Sequence, residues 1–253
     1  MKNKLLFSTN TKIKYQYSEG DHRPMTTKED SVNGETHFLD LNDDCLLEIL
    51  KYLNIHETFT LLGGVCKRID DIIYERLALI KHLTINLRDP PAFTIEQLEI
   101  IGRNLKSLYI SAGYSLSSPL TLNYLQPICC QESLQFLTLH YVQFDENYQN
   151  CLMKVAAQLE FLDLSYCQLT DDLLQPILAK CSNLRALTIF GNYNLKCTSL
   201  SALKSRELKE LKVEQNSNCK PEIEKFITKN PEVTVTIFAI GFLGHINSKA
   251  YHE

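Results

Sequence analysis

The sequence predicts an α/β solenoid of parallel strands and covering helices, preceded by a small all-α module of three helices. Three observations carry that prediction. A six-residue pattern, Leu-x-x-Leu-x-Leu with Ile or Val allowed, returns seven times from residue 80 onward. The segments between copies carry an apolar rhythm of helical period, as at Leu173, Leu174, Ile177 and Leu178. The negative excess of the chain is confined to one short stretch upstream of the first copy.

The chain divides into four parts. Residues 1–36 hold 6 basic and 5 acidic side chains, with many Ser, Thr, Asn and Lys residues and almost nothing that could form a core. They are expected to be a polar, mostly disordered tail. Leu5, Leu6 and Phe7 are too short an apolar run for a secretory signal. A mitochondrial presequence is disfavoured, because no arginine precedes Arg23 and no amphipathic period is visible. Residues 37–79 hold 4 basic and 8 acidic side chains, whereas residues 80–253 hold 16 and 17. That shift marks the boundary of a separate module.

In the module, Asn42 is placed to cap a first helix of roughly ten residues, with Asp43 and Asp44 favouring its N-terminal dipole. Leu46, Leu47, Ile49, Leu50 and Leu53 form its apolar face. A second short helix fits Glu57–Leu62, ended by Gly63 and Gly64. A third begins at Val65 and carries Cys66, Ile69, Ile72 and Ile73 on one side. Three short helices bury little surface alone. So much apolar surface implies docking on the repeats or on a partner protein.

The repeat copies start at residues 80, 105, 134, 159, 184, 208 and, in degenerate form, Val233, with spacings of 25, 29, 25, 25, 24 and 25. About seven repeats therefore fill residues 80–238. The second half of each pattern reads as a short strand of period two, with leucines inward. The tetrapeptide Leu-Gln-Pro-Ile occurs at 125–128 and again at 174–177, and its prolines, Pro127 and Pro176, are expected near helix starts. One unit cannot bury its own apolar face, so neighbours stack, with strands on a concave side and helices on a convex side. Residues 239–253, with Phe242, Leu243 and Ile246, are too apolar for a free end. They are expected to cap the last repeat or fold back into the concave face.

Two resemblances follow from these residues. The repeats resemble the leucine-rich repeat family, in its cysteine-containing subclass. The best copy is LEFLDLSYCQLTDDLLQPILAKCSNL at 159–184, with Cys167 after the strand, Leu169-Thr170-Asp171 leading into the helix, and Cys181 before the next strand. The module is similar to an F-box through Leu41, Asp43-Asp44, Leu46-Leu47, Ile49-Leu50, Leu53 and Val65-Cys66-Lys67-Arg68. It departs from that family at two positions, where the family's proline is Asn42 and its tryptophan is Ile69. The chain contains no tryptophan.

An F-box followed directly by such repeats resembles the F-box/leucine-rich-repeat proteins. The resemblance implies a non-catalytic substrate receptor of an SCF-type cullin-RING ubiquitin ligase. Its partners would be a Skp-type adaptor, cullin and RING subunits through that adaptor, and a protein target. The implied adaptor face comprises Leu41, Asn42, Leu46, Ile49, Leu50, Leu53, Val65, Cys66, Lys67, Arg68 and Ile69, of which some are core. The alternative is a ligase-independent repeat scaffold whose module has lost the adaptor. On the repeats, periodicity turns Tyr109, Phe136, His140, Phe161, Asp163 and Phe190 outward as candidate target contacts. Ser165, Thr188 and Glu214 fall in the same outward class. The six contacts include an exposed aromatic stripe in which Phe136 and Phe161 lie side by side. The other possibility for these aromatics is packing among themselves or under the C-terminal tail.

Composition and motif absence narrow the remaining classes. With 253 residues, net charge −4 and mean hydropathy −0.16, the chain reads as an ordinary globular protein. Nothing in that balance suggests nucleic-acid binding. No run approaches 18 apolar residues, so no membrane span is expected. Nine cysteines without a secretory signal imply free thiols in a reducing compartment, cytoplasmic or nuclear. There is no phosphate-binding glycine loop, no Cys-x-x-Cys, and no serine or zinc hydrolase motif. No cofactor or metal is therefore expected. His140 beside Asp163 on neighbouring strands reads as a surface polar contact, with an acid–base pair as the sharper alternative.

Overall fold

The computed structural model describes residues 38–90, 92–113, 118–214, 216–240 and 246–250. The expected tail at 1–36 lies outside the described residues. The chain separates into two compact units, Met1–Asp40 and Leu41–Glu253. Of the first, only the 3-10 turn Phe38–Asp40 is described.

The second unit opens with three helices, α1 (Asp43–Leu50), α2 (Ile55–Leu61) and α3 (Lys67–Ala78). Each of the first two begins where an asparagine supplies the cap. Asn42 Oδ1 accepts from Cys45 N at 2.8 Å. Asn54 and Glu57 exchange side-chain and backbone bonds as a capping box. α2 ends as Gly63 enters the left-handed region at φ +70. Arg76 of α3 binds the three helices together, donating to Leu53 O at 2.5 Å and to Thr58 Oγ1.

An α/β layer follows. Its strands are β1 (His82–Asn86), β2 (Ser107–Ser111), β3 (Phe136–His140), β4 (Phe161–Asp163), β5 (Ala186–Thr188), β6 (Glu210–Glu214) and β7 (Thr234–Ile240). These seven pair in parallel and in sequence order. β8 (Ile246–Ala250) joins β7 antiparallel, so the C-terminal segment lies edge to edge with the last parallel strand. Between the strands run α4 (Ile95–Gly102), α5 (Ser118–Cys129), α6 (Glu146–Val155), α7 (Asp171–Lys180) and α8 (Lys220–Lys229). The β5–β6 crossover has only the 3-10 turn Thr198–Ala202. There Ser201 Oγ donates to Thr198 O at 2.7 Å, a local bond that competes with an α-helix.

Register ties the repeats together. Leu83, Leu108, Leu137, Leu162, Leu187, Leu211 and Val235 are direct ladder partners. All but Val235 are buried. The first six strands each begin two residues into their pattern copy. The seventh departs from the expected alignment. Its partner pairs, Leu211↔Val235 and Val213↔Ile237, place the copy one residue earlier than a start at Val233. Because side chains alternate, that single step turns Val235 and Ile237 inward and leaves Thr236 and Phe238 on the other face. The alternating branched residues at 233, 235 and 237 favour it.

The prolines also stand elsewhere than expected. Pro127 and Pro176 lie inside α5 and α7, not at their starts. A proline leaves the carbonyl four residues earlier without its helix donor. For Pro176 that is Asp172 O, and Gln149 of α6 reaches it at 3.4 Å and Leu173 O at 2.9 Å. A neighbouring repeat thus supplies the missing donor.

Between the strands and the next helices, one side chain does most of the fastening. Asn192 is buried, and its Oδ1 accepts from Cys167 N (2.9 Å) and Leu169 N (3.0 Å). Its Nδ2 donates to Leu164 O (2.8 Å) and Ile189 O (3.0 Å). Cys167 stands 25 residues earlier and makes the corresponding tie, thiol to Leu139 O at 3.0 Å. Burial pushes the Cys167 and Cys181 thiols up to about 12, so both stay neutral in the core. Asp171 fastens the following turn. Burial opposes its ionisation, but the N–H groups of Ser199 and Lys196, at 2.8 and 2.7 Å, hold its carboxyl below the usual range.

The core is continuous from Leu46 of α1 to Val233 before β7, and α3 packs on α4. The module is therefore docked on the repeats. Replacing Asn192 by Ala should remove about 3 kcal/mol or more, since two buried N–H groups lose their acceptor at once. Asn216→Ala, 24 residues on and less buried, should cost about 1 kcal/mol or less. Urea unfolding of both variants measures the difference.

Candidate binding face

One side of the parallel sheet is covered by helices, and the other carries the candidate contact residues. Across it, Phe136, Phe161 and Ala186 are successive ladder partners, as are Thr138, Asp163 and Thr188. Phe136 and Phe161 thus share a row, as the spacing implied. Phe136 is 41% exposed, whereas Phe161, Tyr109, His140, Asp163 and Phe190 are each half-buried. Tyr109, His140 and Phe190 are less open than a free stripe because they make ring contacts. Tyr109 meets His140 edge-on with centroids 5.3 Å apart. Phe190 meets Tyr166 and Phe238, each at 5.2 Å.

His140 sits at the centre of a polar chain. Its Nδ1 lies 3.3 Å from Tyr109 Oη. Its Nε2 lies 3.3 Å from Asp163 Oδ2, without hydrogen-bond geometry. Asp163 Oδ1 in turn accepts from Ser165 N at 3.0 Å and Ser165 Oγ at 2.5 Å. The expected His140–Asp163 contact is therefore present, with both ring nitrogens directed at protein groups. The chain can orient a polar group laid on the face.

Three residues read as outward, Ser165, Thr188 and Glu214, are buried, at 5%, 8% and 7% exposure. Ser165 lies past the end of β4, whereas Thr188 and Glu214 are the last residues of β5 and β6. Glu214 accepts from the Gly191 N–H, while its Oε2 has no partner. Burial raises its carboxyl above the ordinary carboxylate value.

Sequence reading missed a second aromatic row at the strand ends. Tyr141 and Tyr166 stack nearly parallel, 4.8 Å and 9° apart. Both hold left-handed backbone, φ +59 and +58, and Gly191, a further 25 residues on, has φ +73. A Cβ at Gly191 would lie 2.3 Å from the Tyr166 ring, so glycine here is what lets Tyr166 lie flat. The signal was available as the 25-residue spacing of 141, 166 and 191.

On the module, the implied adaptor residues divide by burial. Leu46, Leu50 and Ile69 are core. Leu41, Leu53, Cys66 and Arg68 are half-buried, and Asn42, Ile49, Val65 and Lys67 are exposed. Arg68 turns back into the module, contacting Asp43 Oδ1 at 2.7 Å and Leu41 O at 2.5 Å. Tyr52, which the sequence reading did not single out, is 90% exposed beside this group in the chain.

Among the described residues, no group of His, Cys, Asp and Glu is arranged to hold a metal ion, and no helix is long and apolar enough to cross a membrane. Compared with known proteins, the chain matches no protein-family model and no curated sequence.

Glu214 gives a pH test of the face. Its raised carboxyl contributes stability that is complete below about pH 4.5 and is lost as pH rises through the higher folded value. Glu214→Gln should therefore raise the Tm by a few degrees at neutral pH and leave it unchanged in acid. Melting curves of both proteins from about pH 4 to about pH 8 check the sign.

Proposed function

We propose that this chain is the substrate-recognition subunit of an SCF-type cullin-RING ubiquitin ligase. Its residues 37–79 act as an F-box that binds a Skp-type adaptor, and its leucine-rich repeats hold the protein target. The carrying observation is the join of two parts on one continuous core. A three-helix module bearing Val65-Cys66-Lys67-Arg68 is packed against seven in-register parallel repeats. Apolar side chains outside that core, Ile49, Tyr52 and Val65, give the module a surface for a protein partner.

The mechanism is proximity. A receptor that grips the adaptor at one end and the target along its strands raises the target's effective concentration at the conjugating enzyme and orients its lysines. Rigid docking of the module transmits that orientation. On the strand face, Phe136 is the open anchor, with Phe161 beside it and the Tyr109–His140–Asp163 chain offering polar contacts. The second reading, a ligase-independent scaffold, draws support from Ile69. At the family's tryptophan position this side chain is 1% exposed and unavailable to a partner.

Burial decides how the test is built. Leu50 would break the module if charged, so exposed Ile49 and Lys67 are the probes. The full chain should co-purify with a Skp-type adaptor in equal amounts. The Ile49→Asp/Lys67→Glu variant should lose at least tenfold in recovery while its circular dichroism is unchanged. Phe136→Ala should leave adaptor recovery intact. Absence of recovery with the folded wild-type chain would remove the ligase reading and leave the scaffold.

A further inference from the structure

The helical layer is thin at one place. The other crossovers between parallel strands carry helices of 8 to 12 residues, but between β5 and β6 the chain makes only a five-residue 3-10 turn. The shortfall leaves a cavity of about 260 Å³ between this turn and α8, floored by Leu200, Leu203, Leu208 and Phe226. Cys197, directly before the turn, forms part of its wall. Cys197 also lines a second, much smaller space of about 10 Å³, together with Cys219, the residue that starts α8.

Both cysteines line that small space, and Cys219 Sγ donates to Leu195 O at 3.0 Å. Their exposures are 2% and 3%. Cys197 holds left-handed backbone at φ +61, an unusual conformation for a residue with a Cβ. Two cysteines lining one space of about 10 Å³, beside a larger cavity that Cys197 also walls, bring a pair of thiols together next to room for a small oxidant.

We propose that Cys197 and Cys219 are a redox-modification site, closed to a disulfide by hydrogen peroxide. One thiol loses its proton and its sulfur attacks a peroxide oxygen. An S–O bond forms as the O–O bond breaks, and one water leaves with that proton. The second sulfur then attacks the resulting sulfenic acid. The S–S bond forms as the S–O bond breaks, and a second water leaves. Two thiols are oxidised by two electrons and one peroxide is reduced to two waters. The link ties the entry of the 3-10 turn to the start of α8, across the weakest contact of the layer, and it is independent of any adaptor.

The test uses the full chain treated with hydrogen peroxide, alkylated and digested with trypsin. Lys196 and Lys212 place the two cysteines in separate peptides, beginning at Cys197 and Val213, with one cysteine each. The expected result is a linked pair of these peptides as the main disulfide product, lighter by two hydrogens and separated by reductant. The oxidised chain should melt several degrees higher than the reduced one. Cys197→Ser and Cys219→Ser should each abolish the linked pair. Full alkylation of both thiols in folded protein, while exposed Cys130 is already oxidised, would overturn the proposal. So would preferred linkage of either thiol to another cysteine. Should a serine variant fail to fold, the wild-type peptide map decides alone.

Discussion

No repeat of this chain can bury its own leucines, and the structure is organised by that constraint. A strand of three to seven residues and at most one short helix enclose too little space for a core. Stacking in parallel at a nearly constant period solves this by bringing Leu83, Leu108, Leu137, Leu162, Leu187 and Leu211 into one ladder. Once that ladder exists, each strand end and helix start needs its polar groups satisfied from the adjacent unit. Asn192, Cys167, Asp171 and Gln149 supply those bonds across repeat boundaries. The fold is thus held by nearest neighbours, apolar inside and hydrogen-bonded at the turns.

The same period shapes the open face. Parallel register repeats each outward position at the spacing of neighbouring strands, about 4.8 Å, so aromatic residues at one pattern position become neighbours. Phe136 and Phe161 are ladder partners at the strand starts, and Tyr141 and Tyr166 stack past the strand ends. Stacking fixes the two tyrosine rings in advance, which would lower the ordering entropy lost on binding a protein segment. The left-handed turn residues, with glycine at 191 to admit the Tyr166 ring, are the backbone price of that arrangement.

Much of this was legible in the sequence, and the misses have definite causes. The strands were readable because the pattern combines two constraints, an inward period of two and a long-range spacing near 25. Asn42 and the Gly63-Gly64 stop were readable because caps are local chemistry. The seventh strand was misplaced by one residue, since Val233, Val235 and Ile237 satisfy the period from a different start. Pro176 was misjudged because its donor, Gln149, comes from another helix and leaves no local trace. The missing helix after β5 reflects hydroxyl competition that a hydrophobic pattern does not report. On the face, the rows were read correctly but exposure was not: Thr188 and Glu214, the last residues of β5 and β6, and Ser165, past the end of β4, are buried. Which module residues were core, among them Leu46, Leu50 and Ile69, needed the docking of α3 to decide.

The docking of α3 on α4 joins the three helices and the parallel sheet in one core. Native-state hydrogen exchange on the full chain tests it most directly. If the core is continuous, the amides of Ile69–Leu77 in α3 should share the opening free energy of β1–β3 and respond together to low denaturant. Exchange of α1–α3 through a separate, easier opening, with the strands still protected, would contradict the account.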